Sequence, residues 1–533
     1  MIGATPDASP NAELQWTDGF RATESPFYIE KSRHRPTASL VQSKLESKMG
    51  EAIVNRPVLK NGIGDHRVPL LINDVPILRE TDSRRHQPFQ GGYFQGAEIS
   101  DCADAVASCR KAFDDWSVTS PTDRRRLLLG LVEVLKSRKH EIQDIMKSEI
   151  HCDDTWASIG ISTSIDLIEQ SAYLLTSGSM NGSIPHTEPE GSCGLVFTRP
   201  LGVVLGIAPW NSPLFLALRA IIAPLATGNT VILKGSELSP RTHYFVARLF
   251  SEAGFPLGVI NFILHRPEDA PEIVGHLIRD PAVRKVNFTG STQVGRIIAQ
   301  LAGQALKPVL MELGGKNCCI VLKDADLSRA AENALDGATL NAGQICMSTD
   351  LVLVERDVVD EFRTELSKRV RNKNGSTFQL VDPRSQARVQ ALISDAKAKG
   401  SHTQSTANSM QQMSPHLLPI TLLESVDESM DFLRTESFGP CLGIVAVSDE
   451  SEAVKIVNDG DYGLSAAIWT RDHYRGLQLA RRLQVGAVHI NSSTVHDEAT
   501  LPHGGTKLSG FGRFGAEWGL KEFVETQTVI MNP

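Results

Sequence analysis

The chain has 533 residues, 22% of them charged and 41% apolar, with a net charge of −8. That length calls for two or three domains. The composition is that of a soluble globular enzyme, and the acidic balance argues against general affinity for nucleic acid or anionic membrane.

Eight cysteines, at 102, 109, 152, 193, 318, 319, 346 and 441, are too few for a disulfide framework and show no repeated C-x-x-C. A reducing, cytoplasmic compartment is therefore expected, with no structural zinc. The N-terminus has no apolar signal-peptide core, and Asp7, Glu13, Asp18 and Glu24 fit a transit peptide poorly. The most apolar region, "PLGVVLGIAPWNSPLFLALRAIIAPLATGNTVIL", is broken by Pro209, Asn211, Pro213, Arg219 and Pro224. It falls short of the ~20 unbroken apolar residues of a membrane span.

Residues 1–65 are polar and aperiodic, and are read as a largely disordered arm. The first strand-like run is "VPLLINDVPI", with a turn pair near its centre. Apolar positions at helical spacing follow in Val106, Ala107, Phe113 and Trp116. "SPTDRRR" opens a second helix, with Ser120 as N-cap and Pro121 in the first turn. Short β-rich runs then alternate with helical patterns: "GVVLGIAP", "NTVILK", "GVINFIL", "RKVNFTG", "VLMELGG" and "NCCIVL". A later set, "LVLVE", "CLGIVAV", "AAIWTRD" and "GAVHIN", suggests another lobe. The pattern predicts an α/β architecture with mostly parallel sheets.

In "APWNSP" an amide, Asn211, is framed by prolines in a segment too apolar to be exposed. It serves either as a satisfied structural group or as an oxyanion donor. "TVILKGSE" puts Lys234 and Glu237 beyond a strand end, where open parallel sheets bind ligands; a solvated surface pair is the plainer alternative. "NFTGSTQVG" sets Gly290 and Ser291 after a strand and Gly295 in the next helix. This is a phosphate cradle or an ordinary glycine turn, and neither a dinucleotide fingerprint nor a P-loop. "SGFGRFG" satisfies G-x-G-x-x-G but follows no hydrophobic strand, and carries little weight. Glu312, in "MELGGK", ends an apolar strand, where burial tends to raise a carboxyl pKa and make a base useful near neutrality. Cys346 in "AGQICMS" would, alone, be one more buried thiol. "VHDEA" offers His496 and Asp497, but adjacent residues point differently and no metal site is expected.

Together these stretches resemble the NAD(P)-dependent aldehyde dehydrogenases from about Val68 to the C-terminus. The matching motifs are "APWN", "LKGSE", "FTGSTQVG", "MELGGK", "GQIC", "ESFGP", "YGLSAAIWTRD" and "GGTKLSGFGR". Glu312 and Cys346 lie 34 positions apart, the family's interval between base and nucleophile. "TVHDEATLP" and "GRFG" are most similar to the salicylaldehyde, benzaldehyde and vanillin dehydrogenase branch.

The resemblance implies a Rossmann-like cofactor domain over 66–178 and 201–310, and a catalytic α/β domain over 311–514. A small β oligomerisation element over 179–200 and 515–533 would build a homodimer or homotetramer. It implies Cys346 as nucleophile with a lowered pKa, Asn211 as oxyanion donor and Glu312 as base for hydrolysis of the thioester to a free acid. Trp210, Lys234, Glu237, Gly290, Ser291, Gly295, Glu436 and Phe438 would contact NAD, with NADP tolerated. Ser212, Phe215, Leu216, Arg219, Ile345 and Met347 would line an aromatic or bulky aldehyde pocket.

The chain departs from the family at four places. Ala220, beside Arg219, stands where many members have lysine, and Phe514 where the usual motif has glutamate. His503 replaces a common phenylalanine and Gly235 a proline. The loss of the lysine and the glutamate implies another water path for Glu312. An aliphatic or pathway-specific aldehyde, a cofactor-free thiol esterase and a catalytically dead binding protein are the competing expectations.

Overall fold

Apolar runs without alternation fold here as strands buried on both faces, the pattern of a covered parallel sheet. Val203–Ile207 and Thr230–Lys234 are buried at every position. With Ile260–Ile263, Val283–Thr289 and Val309–Glu312 they form a parallel core, ordered 309–312, 283–289, 203–207, 230–234, 260–263. In this computed structural model the described residues are 67–79, 83–89, 91–188, 190–406 and 416–533. The arm expected over 1–65 lies outside them.

Both edges of this sheet are closed by antiparallel strands. At one, Leu70–Ile72 pairs Phe262 and turns back as Val75–Ile77. Asn73 and Asp74, at φ 52° and 61°, make the two-residue turn that the sequence suggests, in the conformation that suits strand twist. At the other edge, Gly510–Phe511 pairs Met311 and Glu312. The glycine motif dismissed as a nucleotide fingerprint is therefore a structural hook.

A second sheet runs 402–405, 421–424, 441–447, 349–355, 317–321, 465–469, 487–490, parallel except at its first strand. Cys318 and Cys319 are buried within Asn317–Val321, and all eight cysteines are free thiols. The chain passes from one sheet to the other through Leu313–Lys316, immediately after Glu312. Helix Pro121–Ser137 begins as predicted, with Ser120 Oγ accepting from the Asp123 N–H. Among the described residues no helix is long and apolar enough to cross a membrane.

Cys193–Pro200 and Val524–Met531 form a separate antiparallel ribbon, pairing Cys193 with Met531 and Pro200 with Val524. Phe197, Val529, Ile530 and Met531 are exposed on it.

Gly510 sits at φ 111°, and an added Cβ would run into the Met311 carbonyl oxygen. Gly510→Ala is expected to destabilise the fold by about 2 kcal/mol or more, through both strain and overpacking. A denaturant midpoint equal to that of the unmodified protein would show that this edge is not the rigid hook described.

Candidate active site

The strand ends at the junction of the two sheets bring three segments together. Glu312 terminates its strand and is fully buried. Asn211 lies just before helix Pro213–Ala226, which begins with proline in its first turn. Cys346 follows the short turn 340–343.

That turn is strained. Asn341, Ala342 and Gly343 all have positive φ, at 49°, 59° and 71°. Left-handed conformations cost non-glycine residues ~1–2 kcal/mol each and persist only where the surroundings impose them. The Asn341 side chain donates to the Asn211 carbonyl at 3.0 Å, and the Gln344 side chain donates to the Asn341 carbonyl at 3.2 Å while accepting from the Val381 N–H at 3.0 Å. Asn317 Nδ2 donates to the carbonyls of both Cys346 and Ser348, at 2.8 and 2.9 Å. At Gly343 a Cβ would collide with the Gly439 carbonyl oxygen.

The Asn211 amide donates to the Gln344 carbonyl at 3.0 Å, and its backbone carbonyl accepts from the Trp156 indole at 3.0 Å. One of the two amide hydrogens is thereby committed, leaving the other for a second acceptor.

Arg219 decides the state of Glu312. Its Nη2 is 3.0 Å from Glu312 Oε2 and 3.0 Å from Thr289 Oγ1, and its guanidinium lies over the Phe514 ring at 4.2 Å. His503 Nε2 is 3.7 Å from Glu312 Oε1, and His503 Nδ1 is 3.8 Å from Asp497 Oδ2. Burial alone would raise the Glu312 pKa, but Arg219 and His503 outweigh it and hold the carboxyl at about 2. The sequence expectation of a raised value is thus reversed, because a buried cation stands where the sequence suggested only apolar neighbours. Cys346 is also corrected. Burial and the neighbouring Glu312 carboxylate push its thiol well above the ordinary value, so it rests as a neutral thiol.

The six residues expected to line the pocket do line one cavity of about 220 Å³, with Cys346 and Asn211. Trp156, Val495, Asp497 and His503 share the wall. A second cavity of about 330 Å³ adjoins it, with Phe215, Arg219, Asp497 and His503 on both linings. His496 Nε2 pairs with Glu498 at 2.7 Å rather than with Asp497.

Trp210, Lys234, Glu237, Gly290 and Ser291 follow strand ends of the first sheet, and Glu436 and Phe438 precede strand Cys441–Val447 of the second. Ser291 Oγ caps helix Thr292–Gln304, accepting from the Val294 N–H at 3.4 Å. A Cβ at Gly290 would meet the Phe288 ring at 2.6 Å, and one at Gly295 would meet Leu313 at 2.6 Å, so backbone alone faces this turn. Lys234 is buried, which lowers its pKa, partly offset by Glu237. Glu237 lines a further cavity of about 220 Å³ with Glu149, Phe89 and Arg384. Gly235 has no space for a Cβ, which would fall 2.8 Å from the Phe262 ring and 2.9 Å from His243, accounting for the missing proline. Glu436 Oε1 accepts from the Gly315 N–H at 3.0 Å, and burial raises this carboxyl to about 7. Phe438, at φ 48°, meets Trp210 edge-on with ring centroids 5.8 Å apart. A helix N-terminus after strand Val283–Thr289, with glycines at 290 and 295, fits a phosphate group.

Asn317, Asn341, Gln344 and Trp156 escaped the sequence reading. The signal for Arg219 was present, since a lone cation in "PLFLALRAIIAPLA" must be paired once that helix is buried.

The family model described as "Aldehyde dehydrogenase family" matches residues 85–529. A vanillin dehydrogenase of Pseudomonas fluorescens is 40% identical over 477 residues, spanning 87% of this chain and 98% of the relative. A salicylaldehyde dehydrogenase of Pseudomonas putida is 37% identical over 446 residues, spanning 82% and 91%. The crystal structure of a salicylaldehyde dehydrogenase from Pseudomonas putida G7 complexed with salicylaldehyde superposes with a TM-score of 0.83. It is 35% identical and covers 88% of this chain and 99% of that one.

The depressed Glu312 pKa ties the ion pair to stability. The pairing stabilises the fold fully above the unfolded carboxyl value of ~4.3. It is lost as the pH falls toward about 2. Arg219→Met strands a buried carboxylate and is expected to cost about 3–5 kcal/mol near neutrality. The deficit should narrow on acidification, as read from urea unfolding at several pH values. A pH-independent deficit would exclude the pair as its source.

Proposed function

The chain belongs to the aldehyde dehydrogenase family, and from that premise we propose that it oxidises an aromatic aldehyde to the carboxylic acid, with NAD preferred and NADP tolerated. The observation that carries this reading is the meeting of Cys346 and Asn211 at one small cavity, with the Glu312 carboxylate beside Cys346. Phe215, Leu216, Ile345, Met347 and Trp156 offer a flat ring apolar contact.

Cys346 is the nucleophile. Its sulfur adds to the aldehyde carbon, and the free N–H of the Asn211 amide steadies the oxyanion of the thiohemiacetal. The bound dinucleotide, when present, supplies the hydride acceptor that turns this adduct into a thioester. Glu312 assists water in hydrolysing the thioester, which favours a free acid as product.

Lys234 and Glu237 would hold the adenosine ribose, Gly290, Ser291 and Gly295 the pyrophosphate, and Glu436, Phe438 and Trp210 the nicotinamide end. The Glu237 carboxylate disfavours a 2′-phosphate by like-charge repulsion. The cofactor domain comprises 66–178 and 201–310, and the catalytic domain 311–514. The exposed apolar face of the ribbon of 193–200 and 524–531 joins subunits in a dimer or tetramer. Eight free thiols suit a cytoplasmic setting.

The test is NADH formation with benzaldehyde, salicylaldehyde and vanillin, compared with acetaldehyde and a medium-chain aldehyde. The aromatic set is expected to give the higher kcat/KM. Cys346→Ala should abolish turnover, and Glu312→Gln should accumulate acylated Cys346. Absence of NADH with every aromatic aldehyde and either cofactor would overturn the reading.

A further inference from the structure

Glu312 is an incomplete base as it stands. Its Oε2 is taken by Arg219, and a carboxyl held at about 2 accepts a proton weakly at neutral pH. What it lacks is beside it. Glu312 Oε1 and His503 Nε2 are both buried, and neither has a hydrogen-bond partner among the described residues. Their 3.7 Å separation is too long for a direct bond. Yet one water with arms of ~2.8 Å reaches both.

The histidine is oriented for this. Each ring nitrogen faces one carboxylate: Nδ1 lies 3.8 Å from Asp497 Oδ2 and Nε2 lies 3.7 Å from Glu312 Oε1. The backbone of His503 is pinned by two hydrogen bonds with Phe514, at 2.9 and 2.7 Å. The ring lines the chamber of Cys346 and also the adjoining cavity.

We propose that Glu312 Oε1 and His503 Nε2 together hold the hydrolytic water, and that His503 takes its proton. This rests on the reading of Cys346 as the acylated residue. As the water O–H bond breaks, its proton moves to Nε2 and its oxygen bonds to the thioester carbon. The C–S bond then breaks, the acid departs, and the Cys346 sulfur takes the proton back from the imidazolium. Glu312 and Asp497, on either side of the ring, stabilise the imidazolium while it lasts.

The charged and titratable groups facing His503 are Arg219, Glu312, Cys346, Asp497 and His489. Burial, with His496 and His503 nearby, depresses His489 to about 4.

The test uses the full chain with NAD and benzaldehyde, in the unmodified protein and in His503→Phe and His503→Ala. Three quantities are read: the first-turnover NADH, the fraction of acylated Cys346 by mass spectrometry, and steady-state turnover. Both variants are expected to keep first-turnover NADH and to accumulate acylated Cys346. Their steady-state turnover should fall about 10²-fold, the usual worth of a positioned base. Added imidazole should restore part of the turnover of His503→Ala. Unmodified turnover in both variants, without acyl-enzyme, would overturn the proposal. So would an equal fall in first turnover and steady state. If Cys346 is never acylated in the unmodified protein, the underlying reading fails, and this proposal with it.

Discussion

A guanidinium and a carboxylate, both withdrawn from water, meet where the helix after Asn211 crosses the end of the sheet. Arg219 and Glu312 are 4% and 0% exposed, and each would be costly to bury alone. Packed against Phe514 and bonded to Thr289, the arginine satisfies the acid and also fixes the helix that carries it. Since that helix begins just after Asn211, the Asn211 amide and the Glu312 carboxylate are referred to one rigid frame. His503 and Asp497 extend the same charge network into the loop that walls both cavities.

Around this pair the cysteine loop is held by backbone carbonyls rather than by packing. Asn317 gathers the carbonyls of Cys346 and Ser348, Asn341 reaches that of Asn211, and Thr494 reaches that of Met347. Such bonds fix the sulfur's position while leaving the side chains of Ile345 and Met347 to line the chamber. Three successive left-handed residues are the strain that this arrangement tolerates.

Much of this was legible in the sequence, for physical reasons that also mark the limit. Strands buried on both faces write themselves as apolar runs, so both sheets could be read in outline. Ser120, Asn73 and Asp74 declare a cap and a turn by local chemistry. Cys346, Glu312 and Asn211 were found through a resemblance whose motifs cluster at strand ends. The electrostatic state of Glu312 was not legible, because it is set by Arg219, 93 positions earlier, and by His503. Asn317 and Trp156 act on backbone carbonyls far along the chain, and no periodicity encodes such contacts. The glycines of "SGFGRFG" looked like a ligand loop because close backbone approach needs glycine, whether the neighbour is a phosphate or the Met311 carbonyl.

The edge strand Gly510–Phe511 has a bearing on how the molecule is assembled in time. It pairs with Met311 and Glu312, and the ribbon strand that follows pairs with residues more than three hundred positions earlier. His503 and Phe514, which face the Glu312 carboxylate and Arg219, belong to the same stretch. A nascent chain can form most of both sheets while the strand bearing Glu312 still has an open edge. Such distant pairings are the slow steps of folding. A polypeptide interrupted before residue 503 carries Asn211, Glu312 and Cys346 without His503 and without the strand that closes the edge beside Glu312.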